Sequence, residues 1–478
     1  MNAFETVIGL EVHIRLLTRT KLFSGENCVY GGQPNAHTSA FTLAHPGTLP
    51  RVNSKALSLA VSLGLACHAE INDRHYFARK HYFYPDSPKG FQTTQDQQPF
   101  CRGGYLELDN GRRIDIHHMH LEEDAGKSLH DQHPAYTLLD FNRAGSPLVE
   151  LVTKPCIKSA EEAGAFITTL LHLVQWIGVC DGNMEEGSLK CDVNISLRPR
   201  GQAQLGTRVE IKNLNSIRHI KKAISYEEKR LIHCLQDGIT IEQQTRSYDE
   251  VADLTFPMRD KEDANDYRYF PEPDLPPIHF TPEFIASVAD QLPELPGTAR
   301  KRLQKQYGLS DYDIQQICSE RRWLLYYENI CKHTQHFKQA ANWLIGPIRH
   351  AVSMDAEDSL QGFPAAGNIA TIIQMVEDGI ISHSSAINKL FPAILKNSDT
   401  DLLAEAVRLD ILTRHDDSEL ENWVNLVIEK MPDKVLAYRK GKKGLIGLFM
   451  GEVKKLSGGK ADPKKVITIL EEKLSSII

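Results

Sequence analysis

The chain has 478 residues, 41% of them hydrophobic and 24% charged. At ~150 residues per domain this is enough for about three domains, and the composition excludes the disordered, collagenous and membrane classes. Its 55 Lys and Arg against 62 Asp and Glu give a net charge of −7, which argues against a surface coated in nucleic acid along its whole length. The charge is uneven: Arg439 to Lys465 holds nine basic and two acidic residues, a local +7 that leaves the rest of the chain at −14.

Near the N-terminus, Val7 to Arg15 alternates Ile8, Leu10, Val12 and Ile14 with Gly9, Glu11, His13 and Arg15, the period of a strand with one apolar and one polar face. Glu5 and Glu11 fall where a signal peptide needs an unbroken apolar stretch, and no run approaches the ~18 apolar residues of a membrane span, so neither export nor anchoring is expected. Ser159, Glu162 and the apolar positions Phe166, Leu170, Leu173, Val174 and Ile177 predict a capped helix that ends at Gly178. Strand alternation returns at Cys191 to Leu197, with Asp192, Asn194 and Ser196 on the polar side, and at Val209 to Asn213, where Glu210 and Lys212 share a face. A second helix is expected from Ser216 to about Cys234, with a basic outer face built of Arg218, Lys221, Lys222, Lys229 and Arg230.

The prolines of PEPDLPP, 271–277, remove backbone donors and close the strand-rich part. Beyond about residue 290 the patterns are helical, with a softer boundary near 405 after the polar stretch Asn397 to Asp401. The expected fold is therefore α+β: a mainly antiparallel-sheet domain at 1–290 with one face packed and the other forming a polar basin, an all-helical domain at 291–405, and a small helical tail at 406–478. Nine cysteines, an odd number without a C-x-x-C pair, exclude a disulfide framework and a thiolate zinc site and fit a reducing cytoplasm.

The chemistry-bearing residues are carboxylates. Glu11 and His13 lie on one side of one strand, about 7 Å apart at their Cα atoms, and can converge on a cation or stand as solvated polar residues. Glu122, Glu123 and Asp124, Glu185 and Glu186, and Asp192 with Glu210 add charge that repels itself unless cations occupy the site. Oxygen donors with at most one imidazole and no thiolate favour Mg²⁺ or Mn²⁺ over zinc, and such ions usually accompany phosphates. Lys80, Lys127, Lys190 and Lys212 are candidates for binding phosphate or balancing carboxylates, each also readable as solvated surface. Gly126-Lys127-Ser128 is no P-loop, because Leu121 stands where its first glycine belongs. His117, His118 and His120 lack a thiol or a second histidine pair nearby, and Ser146 has neither a G-x-S-x-G elbow nor an adjacent base. The chain offers metal and charge stabilisation without a covalent nucleophile.

Several strings resemble one family in family order: ETVIGLEVHI (5–14), RKHYFYPDSPKGFQ (79–92), HLEEDAGKS (120–128), LLDFNRAGSPLVELV (138–152), DGNMEEGSLKCDVNIS (181–196), EIKNLNS (210–216), DYRYFPEPDLPP (266–277) and YRKGKKGLIGLFMGEVKKLSGGKADPKKV (438–466). The family is that of the B subunits of glutamine-dependent aspartyl/glutamyl-tRNA amidotransferases. The resemblance implies a cradle domain similar to glutamine synthetase, a helical domain and a mobile tail. The local +7 of Arg439 to Lys465 and its glycines point to a tail that binds the tRNA body, with a solvated basic helix face as the alternative. The resemblance also implies that glutamate or aspartate on mischarged tRNA is phosphorylated by ATP at its side-chain carboxylate and then attacked by ammonia. That ammonia would come from a glutaminase A subunit, with a small C subunit tying A to B in a heterotrimer. By the same resemblance Glu11, His13, Glu123 and Glu210 are the expected metal residues. Glu122, Glu186 and Asp192 would position metals or ammonia, Asp192 or Glu186 would take a proton from ammonium, and Lys80 would meet a phosphate or carboxylate. Many members carry two zinc-binding cysteine pairs before the PGTLP turn. Here that loop has only Cys28, so no structural zinc is expected. Whether the substrate is Glu-tRNA, Asp-tRNA or both is not written in these residues.

Overall fold

The computed structural model describes residues 3–130, 132–260, 267–352, 362–397, 399, 401–413 and 417–476. Asp266 of the DYRYF motif, and Ser398 and Thr400 in the polar stretch before residue 405, lie outside the described residues. The chain divides into two compact units, Met1–Pro296 and Gly297–Ile478.

The first unit is built on a ten-stranded sheet. Its main strands are β1 (Phe4–Arg15), β2 (Arg113–Glu123), β3 (Pro147–Thr153), β4 (Leu189–Pro199), β5 (Val209–Lys212), β6 (Gln244–Asp249) and β7 (Leu254–Asp260). Across the sheet they run β7-β6-β5-β4-β1-β3-β2, followed by the short strands Cys101–Arg102 and Glu70–Ile71. The pairings are antiparallel except that of β5 with β6. β1 is central because its alternation is regular: Ile8, Leu10, Val12 and Ile14 are completely buried, each contributing about 1.5–3 kcal/mol of apolar transfer. Helices α1 (Ala160–Trp176) and α2 (Ile217–Gln236) cover that face, with Phe166, Ile167, Leu170, Ile220 and Ile224 in the shared core. Ser159 and Ser216 cap them by accepting from the backbone N–H groups of Glu162 and His219, both at 3.1 Å, worth about 1 kcal/mol apiece.

One irregularity decides which β2 side chains reach the opposite face. Val152 of β3 pairs with His118 but Thr153 pairs with Ile116, so His117 is an extra residue, a β-bulge. Before it Ile114 and Ile116 face the core; after it Met119 and Leu121 do, which turns His118, His120 and Glu122 to the polar side.

A separate three-stranded sheet consists of Ala78–His81, Phe91–Thr94 and Phe270–Pro271. The proline-rich 271–277 segment is anchored by Glu272, which is 5% exposed and accepts from Arg79 at 2.7 and 2.8 Å. Helix Pro282–Gln291 then returns Val288, with Phe280 before it, to the first unit's core. The loop holding Cys28 is fixed by ordinary hydrogen bonds: the Asn53 side chain donates to Thr20 and Lys21, and Glu26 accepts from Ser24 and Thr42.

The named elements of the second unit are helices among the described residues. Residues 420–474 share a core of Leu420, Val424, Phe449, Val453, Val466 and Leu470. No described helix is long and apolar enough to cross a membrane.

Candidate functional site

The polar face of the sheet is assembled by register. His13 of β1 sits directly opposite Glu150 of β3 on one side and Lys190 of β4 on the other, and Glu150 sits opposite His120 of β2. One row across four strands thus reads His120, Glu150, His13, Lys190. In the next row Glu11 faces Asp192, and a further pair sets Asn194 of β4 against Glu210 of β5.

His120, Glu150 and His13 close into a knot with Glu122. The His13 Nε2 lies 3.4 Å from Glu122 Oε1 and 3.2 Å from Glu150 Oε2. The His120 Nε2 lies 3.5 and 3.4 Å from the same two carboxylates. Burial alone would favour neutral imidazoles, but the two carboxylates outweigh it and hold both histidines above their ordinary value, His13 well above. In return, against a burial effect that works the other way, the histidines keep Glu122 well below the usual carboxylate range and Glu150 below it. Ligand atoms of His13, Glu122 and Glu150 all fall within 4.8 Å of one another, a grouping that can hold a metal ion.

Glu11 adjoins this knot. Burial raises its carboxyl, and the charges of Glu150, Glu210 and Asp192 raise it further, against one hydrogen bond from Asn194 at 2.9 Å. Asp192 and Glu210 are already balanced, since Lys212 Nζ lies 2.8 Å from one and 3.0 Å from the other. Burial would lower the lysine, but the two acids raise it.

Of the residues expected from sequence, His13, Glu122 and Glu11 meet here, with Asp192 one strand from β1 and Glu210 and Lys212 two strands away. Glu123 does not join them. It is the next residue after Glu122, so it projects away from the polar face, where it pairs with Lys89 and accepts from the Thr93 amide at 2.9 Å. Glu150 and His120 complete the knot and were not among the expected catalytic or metal residues. The signal for Glu150 is its position between the buried Val149 and Leu151 in PLVELV.

Beside the knot is a cavity of about 550 Å³ lined by Arg15, Lys127, Arg143, Lys190, Glu186 and Ser146, among others. It begins one side chain away, because Lys190 is the cross-strand partner of His13. Glu186 is held by a turn in which Asn183 Oδ1 accepts from the amides of Glu185 and Glu186. Lys190 lies 3.6 Å from Asp124, and Lys127 is exposed. Lys80 belongs to the small sheet, where its ammonium stands 4.9 Å from the centre of the Tyr267 ring. The same sheet's neighbour Tyr269 has its hydroxyl pushed up by burial, then by Asp96 and Tyr267, and in smaller part by Glu122 and Glu150.

A convergence of donors that could hold a cation, next to a cavity carrying four basic side chains, suits the neutralisation of charge on two anions brought together. A family model described as the GatB/GatE catalytic domain matches residues 6–286, and one described as the GatB domain matches residues 325–474. Three relatives, each named as the B subunit of an aspartyl/glutamyl-tRNA(Asn/Gln) amidotransferase, match over nearly their full extent. The protein of Marinobacter nauticus is 44% identical over 98% of this chain and 99% of its own. That of Coxiella burnetii is 44% identical over 98% of this chain and 100% of its own, and that of Saccharophagus degradans 45% over 99% and 100%.

Proposed function

The chain belongs to the family of aspartyl/glutamyl-tRNA(Asn/Gln) amidotransferase B subunits, and on that premise we propose how its polar sheet face performs the reaction. The protein is a tRNA-dependent amidotransferase subunit, a ligase of protein biosynthesis that converts misacylated Asp- or Glu-tRNA to Asn- or Gln-tRNA. It works within a multi-subunit enzyme.

ATP phosphorylates the side-chain carboxylate of the misacylated residue, and ammonia displaces phosphate to leave the amide. The observation that carries this reading is the convergence of His13, Glu122 and Glu150 within 4.8 Å. One imidazole and two carboxylates suit Mg²⁺ or Mn²⁺, which would supply charge neutralisation to the transferring phosphoryl group. Glu11 is the adjoining carboxylate whose raised position a bound cation would relieve. Arg15, Lys127, Arg143 and Lys190 line the cavity for the triphosphate. Lys80 meets a phosphate or the substrate carboxylate, and Asp192 or Glu186 takes the proton from ammonium. Glu123 and Glu210 keep secondary roles, in that Lys89 and Lys212 already balance them.

The likeness of the cradle to glutamine synthetase belongs to this proposal, as do a glutaminase A subunit supplying ammonia, a small C subunit tying it to this chain, and a tail from about 406 that holds the tRNA body. The test is amide formation by the chain co-expressed with those partners, on Glu-tRNA(Gln) and Asp-tRNA(Asn) separately. ATP hydrolysis should require misacylated tRNA; hydrolysis at full rate without it would point to a plain phosphohydrolase. Activity surviving exhaustive EDTA without added Mg²⁺ would refute the metal, and one tightly held zinc per chain would refute the absence of a structural zinc.

A further inference from the structure

Strand alternation sorts the side chains of the small sheet onto two faces. On one, the Arg79 guanidinium lies 4.3 Å from the centre of the Phe91 ring and His81 stacks on Phe270 at 4.9 Å. The other carries Lys80, Tyr82, Tyr84, Tyr267 and Tyr269, and the His81 amide, which donates to the Tyr267 carbonyl at 2.9 Å, draws the two tyrosine pairs together. We propose that this tyrosine face seats the acceptor end of the misacylated tRNA, its rings stacking the unpaired terminal adenosine that carries the aminoacyl ester. The inference rests on the amidotransferase reading and deepens it, by naming what holds the reacting end of the substrate.

The four rings form a row. Tyr84 meets Tyr82 with ring centres 5.8 Å apart, Tyr82 meets Tyr267 at 6.5 Å, and Tyr267 meets Tyr269 at 6.0 Å. Both ends are open to solvent, Tyr84 at 61% and Tyr269 at 40% exposure. Tyr84 is nonetheless fixed, because Pro85 follows it in a turn whose Ser87 amide donates to the Tyr84 carbonyl at 3.0 Å. A large ring held rigidly in water loses little further freedom when a base stacks on it. Lys80, over Tyr267 at 4.9 Å, has no carboxylate partner among the described residues, so its ammonium is open to the phosphate that joins the last two nucleotides. Unpaired RNA ends are recognised in this way, by aromatic stacking with a basic group on the backbone.

The row stands where the accepting carboxylate must enter. Gln92 and Thr94 pair with Lys80 and Ala78, so they share the tyrosine face. From there the Gln92 side chain donates to the Glu123 carbonyl at 2.8 Å, and the Thr94 hydroxyl donates to the Glu122 carboxylate at 3.2 Å. The tyrosine face therefore adjoins the knot at β2. The cavity assigned to the triphosphate adjoins it at Lys190 of β4, on the other side of β1. In phosphoryl transfer the attacking and leaving oxygens lie roughly in line, so a nucleotide on the β4 side leaves the β2 side to the acceptor. The adenine of ATP has the same stacking chemistry, but that geometry gives the tyrosines to the adenosine bearing the aminoacyl group.

The experiment uses the whole complex and two double variants: Tyr84→Leu/Tyr269→Leu, which removes the rings, and Tyr84→Phe/Tyr269→Phe, which keeps them. Binding is measured for unacylated tRNA(Gln) in two forms, complete and lacking its terminal adenosine. Wild type and the Phe variant should bind the complete form about tenfold more tightly, and the Leu variant should bind both forms alike. With 2-aminopurine in place of the terminal adenine, fluorescence should be quenched on wild type and stay bright on the Leu variant. Tyr84→Leu alone, at the more exposed end of the row, carries the same comparison if the double variant fails to fold. Equal discrimination by all three proteins would overturn the proposal. So would a raised KM for ATP with discrimination retained, which would give the rings to the nucleotide. Loss confined to glutamine-dependent amidation, with ammonium-dependent amidation intact, would also overturn it, by making the face a contact for the ammonia-supplying subunit. If wild type distinguishes the two tRNA forms but amidates neither Glu-tRNA nor Asp-tRNA, the stacking site stands and the amidotransferase reading fails.

Discussion

The two faces of the main sheet each bury a cluster of charge, and they are balanced differently. Behind the sheet, Glu227 of α2 is fully buried and meets Arg230 at 2.8 Å and Arg246 of β6 at 2.9 Å, with Thr255 also donating to it. One carboxylate there has two permanent cations. On the polar face Glu122 and Glu150 pair with the imidazoles of His13 and His120, with no lysine or arginine in ion-pair contact with them among the described residues, and Lys212 serves the neighbouring acids. A guanidinium cannot be deprotonated at working pH, so the first cluster is settled once folded. An imidazole can give up its proton, and a metal ion can then take its place among the same oxygens.

The largest expected effect tests the settled cluster. Glu227→Gln leaves Arg246 buried without its counter-charge, and breaking a buried pair costs about 3–5 kcal/mol. Urea midpoints should fall accordingly, while kcat per folded molecule is unchanged at low temperature. A stability loss below about 1 kcal/mol would show that the cluster is solvated and the contrast between the faces false.

Next in size is the activity of the knot. His13→Ala and Glu122→Gln should each lower amide formation by about 10²–10³-fold, the range for losing one electrostatic stabiliser. Melting temperature should fall by less than in Glu227→Gln, because the imidazoles left behind can shed their protons, and tRNA affinity should change little. Glu150→Gln should behave like Glu122→Gln. Unfolding of all three variants would make the knot a structural element like the Glu227 cluster.

The same residue type is pushed in opposite directions by its surroundings, which gives a pH test. His75 is completely buried against Phe280, its ring centre 4.5 Å away, with no carboxylate to offset burial, so its pKa is lowered from 6.5 to about 4. Between those values the unfolded chain binds the proton more readily than the folded one, so its contribution is complete above 6.5 and declines as pH falls toward 4. Wild type should lose roughly 2 kcal/mol more than His75→Gln between about pH 7.5 and about pH 5 in urea titrations. Parallel profiles would remove His75 as the acid-sensitive group.

How much of this was legible depends on distance along the chain. The two faces of β1 and the caps at Ser159 and Ser216 were readable, because alternation and capping involve residues a few positions apart. The grouping of the site was less so. His13 meets Glu150 and His120 only through pairing of strands more than a hundred residues apart, and no local pattern gives that register. The adjacent pair Glu122 and Glu123 looked equivalent in sequence, yet alternation sends them to opposite sides. Which of the two faces the knot is set by the bulge at His117, whose trace is the shift of apolar positions from 114 and 116 to 119 and 121. Lys89 carries no sign of its role inside PDSPKGF, because nothing local shows that it answers Glu123.

The smallest effect concerns Lys212, which stands between the two regimes. Its ammonium is a permanent cation shared by Asp192 and Glu210, the reverse of the one carboxylate shared by two arginines behind the sheet, but its side chain is 41% exposed and it borders the face that takes a cation. Exposure limits its worth, so Lys212→Met should cost about 1 kcal/mol or less in EDTA. The two acids would then join Glu11 in an unbalanced group of three carboxylates, which is the situation a divalent ion relieves. Millimolar Mg²⁺ should therefore restore the variant's stability by more than it stabilises wild type, because an ion bound only to the folded state adds its binding free energy to folding. If Mg²⁺ makes no difference while the KM for ATP rises about tenfold, Lys212 acts on the nucleotide phosphates, and the line between a settled and an exchangeable cluster runs on the other side of β5.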